Sequence, residues 1–243
     1  MLPSSTVENY LKAIHEAQNR LPSDRELVPM GQLSSALGVV PGTATTMVKT
    51  LAESGLVVYE PYSGVRLTAA GTKLAAAVLR RHRLVELFLV RVMGMSWDEV
   101  HDEAEQLEHA VSDRLIERID EMLGRPAVDP HGDPIPDAEG QIQTGLESYT
   151  LLTCAIGVPL VVSRVLDQDG EFLRFVEHSA LKPGQPITVV SRDAAADRVI
   201  VRVSGNGAAG ADTGAGADAG GNGGREIALG TRAASKLLVE RPR

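Results

Sequence analysis

The nine residues from His101 to His109 constrain this chain more than any other stretch, because His101, Glu105, Glu108 and His109 stand at offsets 0, +4, +7 and +8. At 3.6 residues per turn those positions share one side of a helix. Carboxylates held this close repel, so such a stripe either faces water or is neutralised by a cation. His82 and Glu86 make another four-residue step on the preceding predicted helix, so three of the six histidines fall in these two segments. Oxygen and imidazole donors without thiolate suit manganese or ferrous iron better than a structural zinc. A solvated acidic face is the other reading of the same spacing.

The stripe lacks the motifs of metal catalysis. It contains no His-Glu-x-x-His and no Glu-x-x-His, and Glu105-x-x-Glu108-His109 is missing the first histidine of an inverted zincin. A metal-dependent hydrolase would also need an open coordination position and a general base, and no separate base stands out nearby. The expectation is a cation that acts as a signal, in a protein that is not an enzyme.

The 243 residues have room for two or three small domains. No apolar run approaches the ~20 residues of a membrane span, and the start of the chain lacks a basic-then-apolar signal. The single cysteine, Cys154, excludes an intrachain disulfide framework, is expected to be a small buried hydrophobe, and fits a reducing cytoplasm. A net charge of −8 argues against indiscriminate polyanion binding but leaves room for a local basic face.

In chain order, Ser5-x-x-Glu8 reads as a capping box that opens a helix to about Gln18, with Val7, Tyr10, Leu11 and Ile14 as its buried stripe and Asn9 just off that stripe. A short helix from Met30 stops at Gly38, and a second begins at Val40-Pro41 and ends at Gly55. Two short helices so joined are the pattern of a helix-turn-helix, whose second member lies in the major groove. That member carries Ala44, Met47, Val48 and Leu51 inward. Pro41, Thr43, Thr45, Thr46 and Lys49 are left to contact phosphates and base edges. Leu56 to Glu60, the turn Pro61 to Gly64 and the return from Val65 to Thr68 predict a hairpin bearing Arg66. Helix-turn-helix plus hairpin makes a winged DNA-binding domain over residues 1–72. Its five Lys/Arg against six Asp/Glu make affinity depend on dimerisation and a few placed contacts.

Thr68 is placed to cap a long helix to about Met93, and Lys73, Arg80, Arg81, Arg83 and Arg91 make this the most basic segment. Those charges neutralise the acidic stripe, face DNA or face water. Ser96-x-x-Glu99 reads as a second capping box, opening the stripe helix, and Ser112 caps a helix with Leu115, Ile116, Ile119 and Met122. Apolar faces on short helices need a partner, and a twofold homodimer supplies one. Residues 73–140 therefore form a helical dimerisation and metal-binding domain, closed by the compact turn Asp129 to Pro136. Residues 141–153 read as a linker. From there to residue 243 the period becomes that of strands, at Leu160–Leu166, Ile187–Ser191, Arg198–Val203, Ile227–Gly230 and Leu237–Glu240, with a short helix at Glu171–Ser179. These predict a small C-terminal β-barrel, with a disordered Gly/Ala-rich insertion at about 205–224.

The stretches Arg80 to Glu86, Trp97 to Glu105, Leu107 to Asp113 and Asp129 to Pro136 resemble the diphtheria-toxin-repressor family of metal-dependent transcriptional regulators, and within it the actinobacterial manganese-responsive branch. The resemblance covers nearly the whole chain. It implies a winged-helix domain, a helical dimerisation and metal-binding domain, and an FeoA-like barrel, in a homodimer that represses from a palindromic operator on double-stranded DNA when loaded with Mn(2+) or Fe(2+). Carried over by position, Glu105, Glu108 and His109 resemble the core of the family's primary site, to which the first helix contributes through Asn9. His82, Glu86 and His101 resemble the other site, with Asp167 or Glu171 as further oxygen ligands. Glu105 stands where iron-responsive members place a cysteine, which favours manganese. Asn9 departs from the family's aspartate or methionine: an amide oxygen coordinates without bringing negative charge.

Overall fold

The structure is a computed structural model that describes residues 4–22, 24–142, 147–204 and 224–242. The chain divides into two compact units, one of Met1–Leu89, Asp102–Ala127 and Pro134–Gln143, the other of Val90–His101, Val128–Asp133 and Thr144–Arg243.

The first unit opens with α1 (Ser5–Asn19), α2 (Met30–Ala36) and α3 (Pro41–Glu53), followed by the strands β1 (Val57–Glu60) and β2 (Gly64–Leu67). The expected apolar periods account for its core: Tyr10, Leu11, Ile14 and Ala17 of α1 pack with Leu33, Ala44, Val48, Leu51, Val57 and Val65. Gly38 and Gly55 end α2 and α3 at φ 63° and 71°, which only glycine adopts without strain. The hairpin is antiparallel, Val57 opposite Leu67 and Glu60 opposite Gly64, and Val28 adds a bridge to Val65. A winged helix-turn-helix is therefore present as expected.

One local reading is corrected. The cap of α1 is Ser4, whose side chain accepts from the Val7 amide, rather than Ser5. The one-residue shift moves Glu8 to the fourth helical position, beyond the reach of a capping box, and frees its carboxylate for tertiary pairing.

The helices α4 (Ala69–Arg91), α5 (Val100–Leu107) and α6 (Asp113–Met122) follow. Thr68 Oγ1 accepts from the Gly71 amide at the start of α4, and Ser112 caps α6 by accepting from Leu115. Lys73 and Arg91 face water, but the middle of α4 turns its charges inward: Arg80 pairs with Glu117 and Asp120 and donates to the Pro136 carbonyl, and Arg83 donates to the Pro134 carbonyl. Ser96 and Glu99 do interact, at 2.6 Å, but in a turn ahead of α5.

The second unit holds β3 (Tyr149–Thr150), β4 (Pro159–Val165), α7 (Gly170–His178), β5 (Pro186–Asp193), β6 (Arg198–Ser204), β7 (Gly224–Leu229), α8 (Thr231–Ala234) and β8 (Leu237–Glu240). The strands form one antiparallel sheet in the order β3-β8-β4-β5-β6-β7. Alternating Leu160 and Val162, Ile187 and Val189, Val199, Val201 and Val203 bury one face of it. β-Bulges interrupt the registers at Val162/Arg164 and Val189/Ser191. The expected barrel is not formed. β3 and β7 remain edges among the described residues, and β3 has only two residues, too short a ladder to close a sheet. Cys154 is buried, as expected of a small hydrophobe. The insertion expected at about 205–224 lies, apart from Gly224, outside the described residues.

No helix among the described residues is long and apolar enough to cross a membrane.

Candidate metal centre and DNA-binding face

The polar stripe is not carried by one helix throughout. α5 ends at Leu107, and Glu108 and His109 occupy the turn that follows. Because the Glu108 amide still donates to the Ala104 carbonyl at 2.9 Å, that turn keeps helical geometry for one more residue. Glu108 is buried while Glu105 stays exposed, so one carboxylate lies inside the unit and the other at its mouth.

Four further side chains meet Glu108. The His82 Nδ1 lies 2.5 Å from Glu108 Oε2, and its Nε2 lies 3.0 Å from Glu86 Oε1 one helical turn along α4. The His109 Nε2 is 3.5 Å from Glu108 Oε1. Lys12 of α1 donates to both Glu108 oxygens at 3.2 and 3.0 Å and to Glu105 Oε1 at 3.3 Å, with its Nζ 3.1 Å from His82 Nδ1. Glu8, one turn earlier, takes His109 Nδ1 at 2.5 Å and Arg81 at 3.3 Å, while Arg81 also donates to the Glu108 carbonyl. Of the residues expected from sequence, His82, Glu86, Glu105, Glu108 and His109 are thus brought together.

The first-helix contribution differs from expectation. Asn9 is exposed, and with Lys12 and Glu105 it lines an open cavity of about 350 Å³. Glu8 and Lys12 are the α1 residues that enter the cluster. At about 100° per residue, Glu8 lies roughly 110° from the centre of the stripe of Val7, Tyr10, Leu11 and Ile14, while Lys12 and Asn9 lie roughly 150° from it on opposite sides, so the angle alone does not single out Lys12. His101 is the second residue of α5, half-buried and part of the second unit. In that unit Asp167 is paired with Lys236, and Glu171 is exposed in the first turn of α7.

Burial alone would strip the proton from His82, but the charge of Glu86 and hydrogen bonds to Glu108 and Glu86 outweigh it and raise its pKa to about 9. Burial acts on Glu108 in the opposite sense to His82 and Lys12, and the two cations win, holding its carboxyl below the ordinary carboxylate range. A histidine whose folded pKa is raised stabilises the fold fully below its unfolded value near 6.5. That contribution fades as pH rises and is gone above about 9. Urea unfolding of metal-free protein should therefore lose a few kcal/mol, roughly, between pH 6.5 and 9, and His82→Gln should flatten that slope. A slope unchanged by the substitution would assign the pH dependence elsewhere.

Carboxylate and imidazole donors from Glu105, Glu108, His82 and His109 fit a hard divalent ion such as Mn(2+) or Fe(2+). The group that does not fit is the Lys12 ammonium, which stands among the same atoms.

On α3, Ala44, Val48 and Leu51 are buried, and Pro41, Thr43, Thr46 and Lys49 are exposed. Thr45 is half-buried; it and Thr46 donate to the Pro41 and Gly42 carbonyls, which leaves their oxygens free to accept. Arg66 is half-buried on β2. Tyr62, fully exposed at the hairpin tip with φ 66°, is an addition that composition did not single out.

Comparison with known proteins agrees with both features. Residues 3–65 match the model of the iron dependent repressor N-terminal DNA binding domain, residues 68–137 the iron dependent repressor metal binding and dimerisation domain, and residues 149–241 the FeoA domain. An uncharacterized HTH-type transcriptional regulator of Methanocaldococcus jannaschii is 35% identical over 118 residues, 48% of this chain and 90% of that protein. The diphtheria toxin repressor of Corynebacterium efficiens is 27% identical over 82% of this chain and 88% of its own length. Among solved structures, a manganese-dependent transcriptional repressor in complex with manganese superposes with a TM-score of 0.80 at 38% identity, over 97% of this chain and 100% of that one. ScaR with bound Cd(2+) gives 0.72 at 29% identity, over 99% and 100%. The chain belongs to the family of metal-dependent transcriptional repressors that includes the diphtheria toxin repressor and the manganese-dependent repressors.

Proposed function

We propose that this repressor responds to Mn(2+), with Fe(2+) as the second candidate, and acts in the cytoplasm as a homodimer on a palindromic operator. The observation that carries the reading is the convergence of Glu105, Glu108, His82 and His109 with side chains of α1, inside the unit that also holds the helix-turn-helix. The ion supplies positive charge to these donors when bound. The chain's own residues do the rest. Glu108 joins α1 to α4 through Lys12 and His82, and Glu8 joins α1 to the turn after α5 through His109, so the pose of the DNA-binding helices depends on the state of the cluster. A ligand that favours one pose shifts the population toward it, and operator and ion then tighten each other's binding by linkage.

Manganese is preferred because Glu105 stands where iron-responsive members place a cysteine, so the soft donor is absent. His101 is retained as a candidate on its spacing and the family resemblance, and Asp167 and Glu171 on the family resemblance. Exposed Leu107, Leu115 and Met122 support an apolar twofold contact through α5 and α6. A dimer would present two copies of α3 about one DNA turn apart, roughly 34 Å.

Selection from random duplexes with Mn(2+), Fe(2+) or Mg(2+) supplied separately tests the reading. Two-fold symmetric sites recovered with Mn(2+) are expected. Recovery of single, unsymmetric half-sites would contradict it. Lys49→Ala should weaken retention of the selected site several-fold and reduce the salt slope by about one. An unchanged slope in a retardation series would remove Lys49 from the phosphate contacts.

A further inference from the structure

The cluster of Glu105 and Glu108 contains a positive charge of its own. Lys12 is only 7% exposed, and its ammonium lies 3.0 to 3.3 Å from Glu108, Glu105 and His82. Lysine is almost never this buried unless paired, and an ammonium has donors only. It therefore uses lone pairs that a divalent ion would need, from within the same small volume. Two like charges would not share that volume.

The stem leaves the ammonium somewhere to go. Asn9, Lys12 and Glu105 line the open cavity beside α1, and a flexible four-carbon side chain can move its charge into water there. We propose that Lys12 is a tethered competitor for the divalent ion: its ammonium neutralises Glu105 and Glu108 in the metal-free protein and must leave for the ion to bind. Lys12 thereby sets the metal concentration to which the repressor responds. This rests on the reading of the cluster as the metal site, and it adds that the first helix brings a cation rather than a ligand to it.

The test is calorimetric titration of the full-length protein with MnCl2, together with thermal midpoints, for wild type, Lys12→Met and Lys12→Gln. Both variants should bind Mn(2+) at least about tenfold tighter than wild type. Metal-free, both should melt below wild type, and Mn(2+) should restore the loss. Adding Glu108→Gln to Lys12→Met should remove the gain in affinity. Equal or weaker Mn(2+) affinity in both variants would overturn the proposal. Failure of both to fold even in Mn(2+) would overturn it too, because an ion able to replace the ammonium would rescue them. No DNA enters this experiment. Tighter binding in the variants without any Mn(2+) effect on operator retention would reject the proposed function and leave the role of Lys12 standing.

Discussion

Replacing Glu108 by Ala is expected to lower stability by about 3–5 kcal/mol and to abolish the Mn(2+) response in operator retention. The carboxylate is 1% exposed and is shared by Lys12 and His82, whose charged nitrogens lie 3.1 Å apart. Without it the two buried cations face each other with only Glu86 and the exposed Glu105 left as counter-charges. The carboxylate is also the donor most central to the cluster, so the ion loses its principal partner. Urea denaturation of metal-free protein checks the first effect and retardation across a Mn(2+) series the second. The double variant Glu108→Ala with Lys12→Met should recover part of the stability, with a coupling of about 0.5–3 kcal/mol, because removing both charges leaves less to compensate. Simple additivity of the two substitutions would mean that the contact carries little of Glu108's effect.

Gly71→Ala is expected to destabilise by about 2–3 kcal/mol, although glycine-to-alanine in a helix ordinarily gains about 1 kcal/mol. Gly71 lies in the first turn of α4, where a Cβ would stand 2.0 Å from the Leu56 carbonyl oxygen. That oxygen cannot yield easily. It accepts from both the amide and the hydroxyl of Thr68, and Thr68 in turn accepts from the Gly71 amide. The helix is thus seated against the loop between α3 and β1 by backbone contact that any side chain would break. Gly31→Ala in α2, where a Cβ meets nothing within 4 Å, is the control and should be neutral or stabilising. Equal effects of the two substitutions on the thermal midpoint would show that α4 is not held by this contact.

The winged domain was legible because its signals are local. Ala44, Val48 and Leu51 repeat at helical spacing, and Gly38 and Gly55 stop the helices they follow. The strands of the second unit were equally plain from the alternation of Leu160 and Val162 or Val199 and Val201. Closure of their sheet was not, since it depends on whether β3 and β7 meet. A two-residue strand has no period to read.

The convergence of Glu105, Glu108 and His109 with His82 and Glu86 followed from their spacing. Lys12 did not, because a search for ligands collects groups with lone pairs and passes over a residue that only donates. Glu8 was hidden by a better-looking local explanation. Ser5-x-x-Glu8 fits a capping box, yet pairing with Arg81 and His109 across the unit claimed the carboxylate and left the cap to Ser4.

The measurement that bears most directly on the account is a single Mn(2+) titration of wild-type protein, read at each concentration for both thermal midpoint and retention of its selected operator. The two responses should rise together over one range of Mn(2+), because the residues proposed to bind the ion also hold the helices proposed to bind DNA. Operator retention that stays constant while the midpoint climbs, or that is complete without any divalent ion, would contradict it.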